Sequence, residues 1–163
     1  MILHNWHHSG EHILIACQRP ESQQWAGQLP QDQWLAQTVN TIRKYSSRSI
    51  HIRAHPRHSL RNLPAGCVVD RPKQIPDTYD DFDFACAIEN AWCVVNHNSN
   101  PAVSAVMYGV PVFVDSTSMA APVGNLDLAQ VENPLRPDRL QWAWDLAHTE
   151  WCVEEIAQGL PWI

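Results

Sequence analysis

Short apolar runs alternate along the chain with longer segments in which apolar side chains recur at helical spacing. The run at residues 12–17 is typical of a strand buried on both faces of a sheet. Residues 31–46 repeat apolar side chains every three to four positions, which predicts a helix. The same patterns predict strands at residues 49–54, 67–70, 93–96 and 110–114, and helices at residues 77–90, with Asp77 as the N-cap, and 101–108.

The order of these segments predicts the fold class. Strands that alternate with helices and are apolar throughout indicate a parallel sheet covered on both faces. Beyond them the pattern is helical, over residues 125–131, 137–148 and 149–158. A chain of 163 residues is long enough for one domain with its own core. We therefore predict an α/β fold in which residues 1–163 form a single Rossmann-like domain with a C-terminal helical layer.

Polar side chains follow three of the predicted strands. Gln18 and Arg19 follow the first strand and open a long polar loop, residues 19–33. Residues 55–57 follow the second strand, and residues 96–100 follow the fourth. Ligands of open parallel sheets bind outside the carboxyl ends of the strands. The sequence therefore predicts a binding site formed by these three loops.

The loop after the fourth strand holds more polar side chains than a turn requires. Residues 96–100 read NHNSN and are followed by Pro101, which suits the first turn of a helix. Asn98, Ser99 or Asn100 would then cap that helix. A helix N-terminus is a ready anion site, and the Ser99 hydroxyl can add a donor. The alternative is that Ser99 and Asn100 serve only as caps.

Four basic side chains alternate along the second strand and its continuation, at His51, Arg53, His55 and Arg57. Alternation places them on one side of an extended segment. Arginine offers a planar fork for phosphate, and histidine can donate to a phosphate oxygen. Pro56 restricts His55 to extended conformations. The alternative is an exposed basic strand end without a ligand.

Three stretches of the sequence resemble one known family. Residues 11–58 include EHILIACQRP and SIHIRAHPRH, residues 93–114 include NSNPAVSAVMYGVPVFV, and residues 149–162 read TEWCVEEIAQGLPW. Together they look like the C-terminal Rossmann-like half of GT-B glycosyltransferases related to bacterial capsule polysaccharide Kdo transferases and their phage-encoded relatives. The family's tail pattern W-x-x-x-E-I-x-x-G-x-x-W is matched here by Trp151, Glu155, Ile156, Gly159 and Trp162.

This resemblance implies a site for a nucleotide sugar. His55 would contact the donor phosphate. Ser99 and Asn100 would bind phosphate at the helix N-terminus. Gln18 and Arg19 would line the cleft. The chain departs from the family where Asn100 follows Ser99 and a second hydroxyl is lost. Together with the basic row and the helix start, the candidate nucleotide- or phosphate-binding residues are Gln18, Arg19, Arg53, His55, Arg57, Asn98, Ser99 and Asn100.

A complete GT-B enzyme has two Rossmann-like lobes, and this sequence resembles one of them. The resemblance therefore implies a homo-oligomer or a partner chain that supplies the second lobe. No catalytic base is evident, because Asp115, Asp127 and Glu150 each look like a cap or a solvated carboxylate. Two other functions stay open. One is a non-catalytic module that binds or sequesters a nucleotide or serves as a partner subunit. The other is a small nucleotide or phosphoester hydrolase with His55 as acid or base.

Charge and cysteine content bear on the partner and the compartment. A formal net charge of −6 does not indicate nucleic acid as a partner. No apolar run is long enough to span a membrane. The five cysteines, at positions 17, 67, 86, 93 and 152, show no CxxC spacing, and the first four lie in apolar surroundings. These four are interpreted as small buried residues in a reducing compartment, so we expect a cytoplasmic protein.

Histidines and tryptophans offer two further candidate sites. His4, His7 and His8 lie near the N-terminus, where we expect a polar, partly ordered segment and not a metal site, because no acidic or cysteine ligands lie nearby in the sequence. The ligand is expected to be a nucleotide or nucleotide sugar, with no cofactor and no metal. The C-terminal tryptophans favour a helical layer packed with aromatics over a base-stacking platform; they are Trp142, Trp144, Trp151 and Trp162.

Overall fold

A computed structural model describes residues 2–149, 151 and 153–160. Its strands are β1 (His12–Ala16), β2 (Ser49–Arg53), β3 (Val68–Asp70), β4 (Ala91–Val95) and β5 (Val112–Phe113). Its α-helices are α1 (Gln31–Tyr45), α2 (Phe84–Ile88), α3 (Asn100–Met107), α4 (Leu140–Ala147) and α5 (Val153–Ala157). The strands form one sheet, all parallel, in the order β3-β2-β1-β4-β5. The predicted Rossmann-like α/β fold is therefore confirmed.

Strand β1 is the centre of the molecule. It pairs with β2 on one side, where Ile15 is opposite Ile52, and with β4 on the other, where Leu14 is opposite Val94. Successive side chains of a strand point to opposite faces of the sheet. Leu14 accordingly packs in the core layer with α3, and Ile15 packs in the layer with α1. Each such side chain contributes about 1.5–3 kcal/mol through burial.

The predicted helix over residues 77–90 is wrong. Helix α2 begins only at Phe84, and Asp77 has a φ of 63° instead of capping a helix. The chain before α2 folds back on itself, and the Ile75 N–H donates to the Asp81 carbonyl at 2.8 Å. This segment carries several carboxylates whose partners are distant in sequence. A local helix signal cannot detect such partners.

The C-terminal helices are shorter than the sequence pattern predicts. Residues 125–131 contain only a 3₁₀ turn at Leu128–Gln130. The side chain of Trp144 is 58% exposed and that of Trp151 is 40% exposed, so the expected aromatic layer is packed only in part. Trp162 and Glu150 lie outside the described residues. None of the helices in the described ranges combines the length and apolar character needed to cross a membrane.

The N-terminal segment, residues 2–10, is packed against the domain, so the expected partly ordered terminus is wrong. The main-chain N–H of His7 donates to the Gly109 carbonyl at 2.7 Å. The indole Nε1–H of Trp6 donates to the Pro137 carbonyl at 2.8 Å. The segment thus joins the end of α3 to the chain that leads into α4, and its main chain is held at both places.

Cysteine burial differs from the expectation at one clear position. Cys17 and Cys93 are buried, and burial raises the pKa of the Cys17 thiol to about 12. Cys67 is half-buried. Cys86 is exposed, because the short helix α2 buries only Ile88 fully. Cys152 lies outside the described residues.

We expect Gly109→Ala to lower the free energy of unfolding more than Gly66→Ala does. Both glycines have positive φ angles, +82° and +73°, which cost alanine about 1–2 kcal/mol. A Cβ at Gly109 would also lie 1.9 Å from the Asn5 carbonyl oxygen, whereas a Cβ at Gly66 meets nothing within 4 Å. Urea unfolding of the two variants measures the difference. Equal losses would contradict the packing of the N-terminal segment.

Candidate functional site

A cleft of about 620 Å³ opens at the carboxyl edge of the sheet. It lies between the ends of β1 and β2, the first turn of α3, and the segment that precedes α2. Its volume is in the range of about 300–1,000 Å³ typical of small-molecule sites. Three of the eight candidate residues line it, namely Arg53, His55 and Asn100.

Two further candidates, Gln18 and Asn98, hold adjacent loops together. The strand order reverses between β1 and β4, and ligands of such sheets bind at this switch point. Here the Asn98 N–H donates to Gln18 Oε1 at 3.2 Å, and Asn96 Nδ2 donates to the Ala16 carbonyl at 2.7 Å. Gln31 Nε2 donates to the main-chain carbonyl of Gln18. The side chains at the switch point therefore connect the loop after β1 to the loop after β4.

The start of α3 is held by Asn96 and not by a capping side chain. Ser99 occupies the N-cap position, but its side chain makes no capping hydrogen bond, so the expected cap is wrong in this respect. Instead the Ser99 N–H donates to Asn96 Oδ1 at 2.8 Å, and Asn96 Nδ2 donates to Ser99 Oγ at 2.9 Å. Asn96 is buried and must find partners for its amide. Pro101 has no N–H, and the Ala102 N–H donates to the Ser99 carbonyl at 3.1 Å. At the first three positions of α3, only the Asn100 N–H therefore stays available to an anion.

Arg53 is a buried cation at the end of β2. Its side chain is 5% exposed, and it donates to Asp70 Oδ2 at 2.6 Å and to Asp83 Oδ1 at 2.5 Å. Burial alone would raise the pKa of Asp83, but hydrogen bonds from Arg53 and from the Lys73 N–H hold this pKa below its usual value. Arg53 thus touches the cleft while its guanidinium already has two carboxylate partners. Its predicted role as a phosphate ligand stays a prediction.

The other three side chains of the alternating basic set, His51, His55 and Arg57, each have different surroundings. The His51 ring stacks on His12 with centroids 4.0 Å apart. The exposed guanidinium of Arg57 donates to Asp80 Oδ2. His55 keeps its side chain at the cleft. The alternating pattern therefore identified a basic strand end, but not how its charges are neutralised.

His55 is the most informative side chain of the cleft. Its Nδ1 accepts a hydrogen bond from the Arg57 N–H at 3.1 Å, which assigns the proton of the neutral ring to Nε2. Burial lowers the pKa of His55, and the charges of Arg19, Arg57 and His58 lower it further. At neutral pH the ring is therefore uncharged, and its Nε2–H is a donor without a partner among the described residues. Arg19 is close enough to His55 to act on it electrostatically, although its own ion pair is with Glu21 at 3.8 Å.

Sequence reasoning missed the acidic wall of the cleft. Asp80 and Asp81, in the segment that precedes α2, line it. The signal was present as a run of aspartates that includes the Asp81-Phe82-Asp83 triplet, but it was interpreted as the beginning of a helix. No cluster of three or more histidine, cysteine or acidic side chains suited to a metal ion occurs among residues 2–149, 151 and 153–160.

Comparison with known proteins leaves the family open. No protein-family model matches the chain. No curated protein matches it either. The argument for function therefore depends on the geometry of the cleft, and the resemblance to GT-B glycosyltransferases stays a prediction.

We expect Arg53→Met to lower the free energy of unfolding by about 3–5 kcal/mol, because it leaves two carboxylates facing a buried site without their cation. Arg57→Met is the matched control, since it removes the same side chain from an exposed ion pair. It should leave stability nearly unchanged. Chemical denaturation of both variants measures the difference. Similar stability of the two variants would contradict the structural role of Arg53.

Proposed function

We propose that the chain binds a nucleotide or nucleotide sugar in the cleft at the carboxyl edge, with a phosphate between His55 and the start of α3. The observation that carries this proposal is the shared cleft, since the end of β2 and the first turn of α3 are far apart in sequence and line one cavity. Both offer hydrogen-bond donors. A phosphate needs several donors converging from different directions, and the two elements supply them.

The donors have distinct chemistry. His55 would donate from Nε2, and the Asn100 N–H at the first position of α3 would donate from the helix start. The Ser99 hydroxyl accepts from Asn96 Nδ2 at 2.9 Å but is 3.4 Å from Asn96 Oδ1, so its hydrogen is only weakly engaged. Ser99 does not itself line the cleft, but it precedes Asn100, which does, so that hydrogen would meet a phosphate oxygen at the edge of the cleft. Asn100, at the first position of α3, lines the cleft and can add its side-chain amide.

Arg57 would change partner when a phosphate binds. It is exposed and paired with Asp80, which itself lines the cleft. An exposed ion pair contributes little, so a phosphate dianion can compete with a single carboxylate for the guanidinium. Arg53 would stay with its two carboxylates and position the end of β2. The acidic wall would then face the nucleoside or sugar hydroxyls, for which carboxylates are acceptors.

If the chain is catalytic, the reaction in keeping with this site is transfer of a sugar from a nucleotide donor. His55 and the start of α3 would stabilise the charge that grows on the leaving phosphate. A second lobe would supply the acceptor site. Four free thiols, at Cys17, Cys67, Cys86 and Cys93, are in keeping with a reducing cytoplasm.

A second candidate is nucleotide binding without catalysis. Two of the carboxylates considered as bases, Asp115 and Asp127, lie outside the cleft and accept hydrogen bonds from the N–H groups of Thr117 and Ala129. They hold turns and do not face the proposed donor site. This arrangement favours a module that holds a nucleotide and depends on a partner for any chemistry.

We expect His55→Ala and Ser99→Ala each to weaken nucleotide binding by about 1.5–3 kcal/mol, the value of a hydrogen bond to a charged group. His148→Ala, exposed beyond α4, is the control. Thermal shift against nucleoside mono- and diphosphates and their sugars measures the effect. A ligand at a hundredfold excess over its Kd stabilises by roughly 2.7 kcal/mol. Unchanged binding by both folded variants would contradict the site.

The pH dependence of binding gives an independent readout of His55. Its pKa is below the usual value in the free protein, and a bound phosphate dianion favours the protonated ring. Binding would therefore take up a proton, and affinity should rise as the pH falls from neutrality towards the lowered pKa of the free His55 ring. His55→Ala should remove this dependence. A slope that is the same in the variant would exclude His55 from the phosphate site.

We expect the isolated chain to show little or no release of nucleotide from nucleotide sugars. Orientation of donor and acceptor can supply about 7–11 kcal/mol of a transferase's rate enhancement, and general-base assistance adds roughly 10²–10⁴-fold. The cleft offers donor binding, whereas the acceptor site would come from a second lobe. Incubation with a panel of nucleotide sugars tests this. Robust turnover that His55→Ala abolishes would show that one lobe suffices.

A further inference from the structure

A second cavity, of about 290 Å³, opens at the same edge of the sheet but on its α1 side. It is lined by Trp34 and Thr38 of α1, by His97 from the loop after β4, and by Asp115 from the loop after β5. The nucleotide cleft shares none of these residues. Nothing in the proposed function uses this cavity.

Polar groups without partners converge on this cavity. The Nδ1 of His97 is buried and has no hydrogen bond, and the His97 residue is only 5% exposed. Thr38 is 6% exposed, and its hydroxyl has no partner among the described residues. Trp34 and Thr38 are four residues apart on α1, so they share a face of the helix. The Nδ1 atom has almost no accessible surface, so an occupant of the open cavity would meet the other ring nitrogen, Nε2, which also has no hydrogen bond among the described residues. Together with the Thr38 hydroxyl it leaves the cavity wall with polar groups that need a partner.

The indole of Trp34 is distinct among the better-buried tryptophans. Its Nε1–H has no hydrogen bond in the described part of the chain. Four other tryptophans donate theirs to a main-chain carbonyl, namely Trp6, Trp25, Trp92 and Trp142. Buried tryptophans usually find such a partner. Trp34 therefore adds a free donor to the same cavity.

The charge and shape of the cavity restrict its ligand. Among the described residues, no lysine or arginine lines it, and Asp115 lies at its rim. Hydrogen bonds from Thr117 lower the pKa of Asp115, so this carboxylate is ionised and repels anions. Leu126 and Leu128 supply an apolar wall. The ligand must combine an apolar face with groups that both donate and accept hydrogen bonds, and it must carry no negative charge.

We propose that this cavity binds a single neutral sugar ring. Ring hydroxyls can accept from Trp34, donate to Asp115, and do either with Thr38 and His97. The C–H face of the ring would pack against the indole and the leucines. A volume of about 290 Å³ lies at the small end of ligand sites, which suits one ring and not a nucleotide. The proposal does not depend on the nucleotide cleft, because the two cavities lie on opposite faces of the sheet.

The test is titration of the full chain with a panel of neutral methyl glycosides, which represent both free sugars and glycan ends. The Trp34 indole N–H resonance, assigned with Trp34→Phe, is followed by NMR. At least one glycoside should shift this resonance. Thr38→Val should weaken binding about three- to tenfold, as expected for one hydrogen bond. Thr41→Val is the matched control, because Thr41 is on the same helix but donates to the Gln37 carbonyl at 2.9 Å.

Three results would overturn the proposal. One is the absence of any glycoside-induced shift at Trp34, which would mean that water completes these polar groups. Another is equal binding by the Thr38→Val and Thr41→Val variants. The third is a shift caused by uridine or adenosine and not by glycosides, which would make the site a nucleobase site. If Thr38→Val fails to fold, glycoside binding by Trp34→Phe is measured by calorimetry instead. Loss of binding in this variant supports the proposal, and unchanged binding contradicts it.

Discussion

The ion pairs of the buried Arg53 guanidinium are the interaction on which the cleft at the carboxyl edge of the sheet depends. A charge this far from water is tolerated only with partners, and Arg53 finds them in Asp70 at 2.6 Å and Asp83 at 2.5 Å. These carboxylates come from the end of β3 and from the residue before α2. The carbonyl of Arg53 also accepts the Cys17 N–H at 2.9 Å, which adds the end of β1. One residue thus joins the ends of β1 and β3 to the segment before α2, and the end of β1 and the segment before α2 border the cleft.

The carboxylates around the cleft differ in how easily they can change partners. Asp70 and Asp83 are committed to a buried cation, and separating them would leave that charge unpaired. Asp80 is paired with Arg57 at the surface, where water screens the attraction and either partner is easily replaced. The same segment therefore contains a fixed carboxylate at its end and a replaceable one near its turn. Binding of an anion can rearrange the second without disturbing the first.

The sheet and α1 could be predicted from the sequence because burial is encoded locally, in apolar runs and helical spacing. The segment before α2 could not. Its aspartates suit a helix N-terminus, but Asp83 is held by Arg53, 30 residues away in the chain. The loop after β4 shows the same limit, since its polar content was recognised while Asn96 was not identified as the residue that holds Ser99. The cavity beside α1 gave only a faint signal, because Trp34 and Thr38 match the helical pattern of ordinary core positions. What distinguishes them is the absence of partners, which is a property of the folded chain.

The two cavities differ in chemistry because the switch point keeps them apart. Asn96 Nδ2 donates to the Ala16 carbonyl at 2.7 Å, and Gln18 Oε1 accepts from the Asn98 N–H at 3.2 Å. These two hydrogen bonds connect the loops after β4 and β1 at the switch point, between the two faces of the sheet. On the α3 side, donors from His55 and the helix start face an open cleft. On the α1 side, aromatic and aliphatic walls carry a few polar side chains, and among the described residues that line this cavity the one carboxylate is Asp115, at the rim. A polar side chain that makes this connection is not available to bind a ligand. The proposed phosphate and the proposed uncharged ring would therefore occupy separate sites, and neither site would need to accommodate the electrostatics of the other.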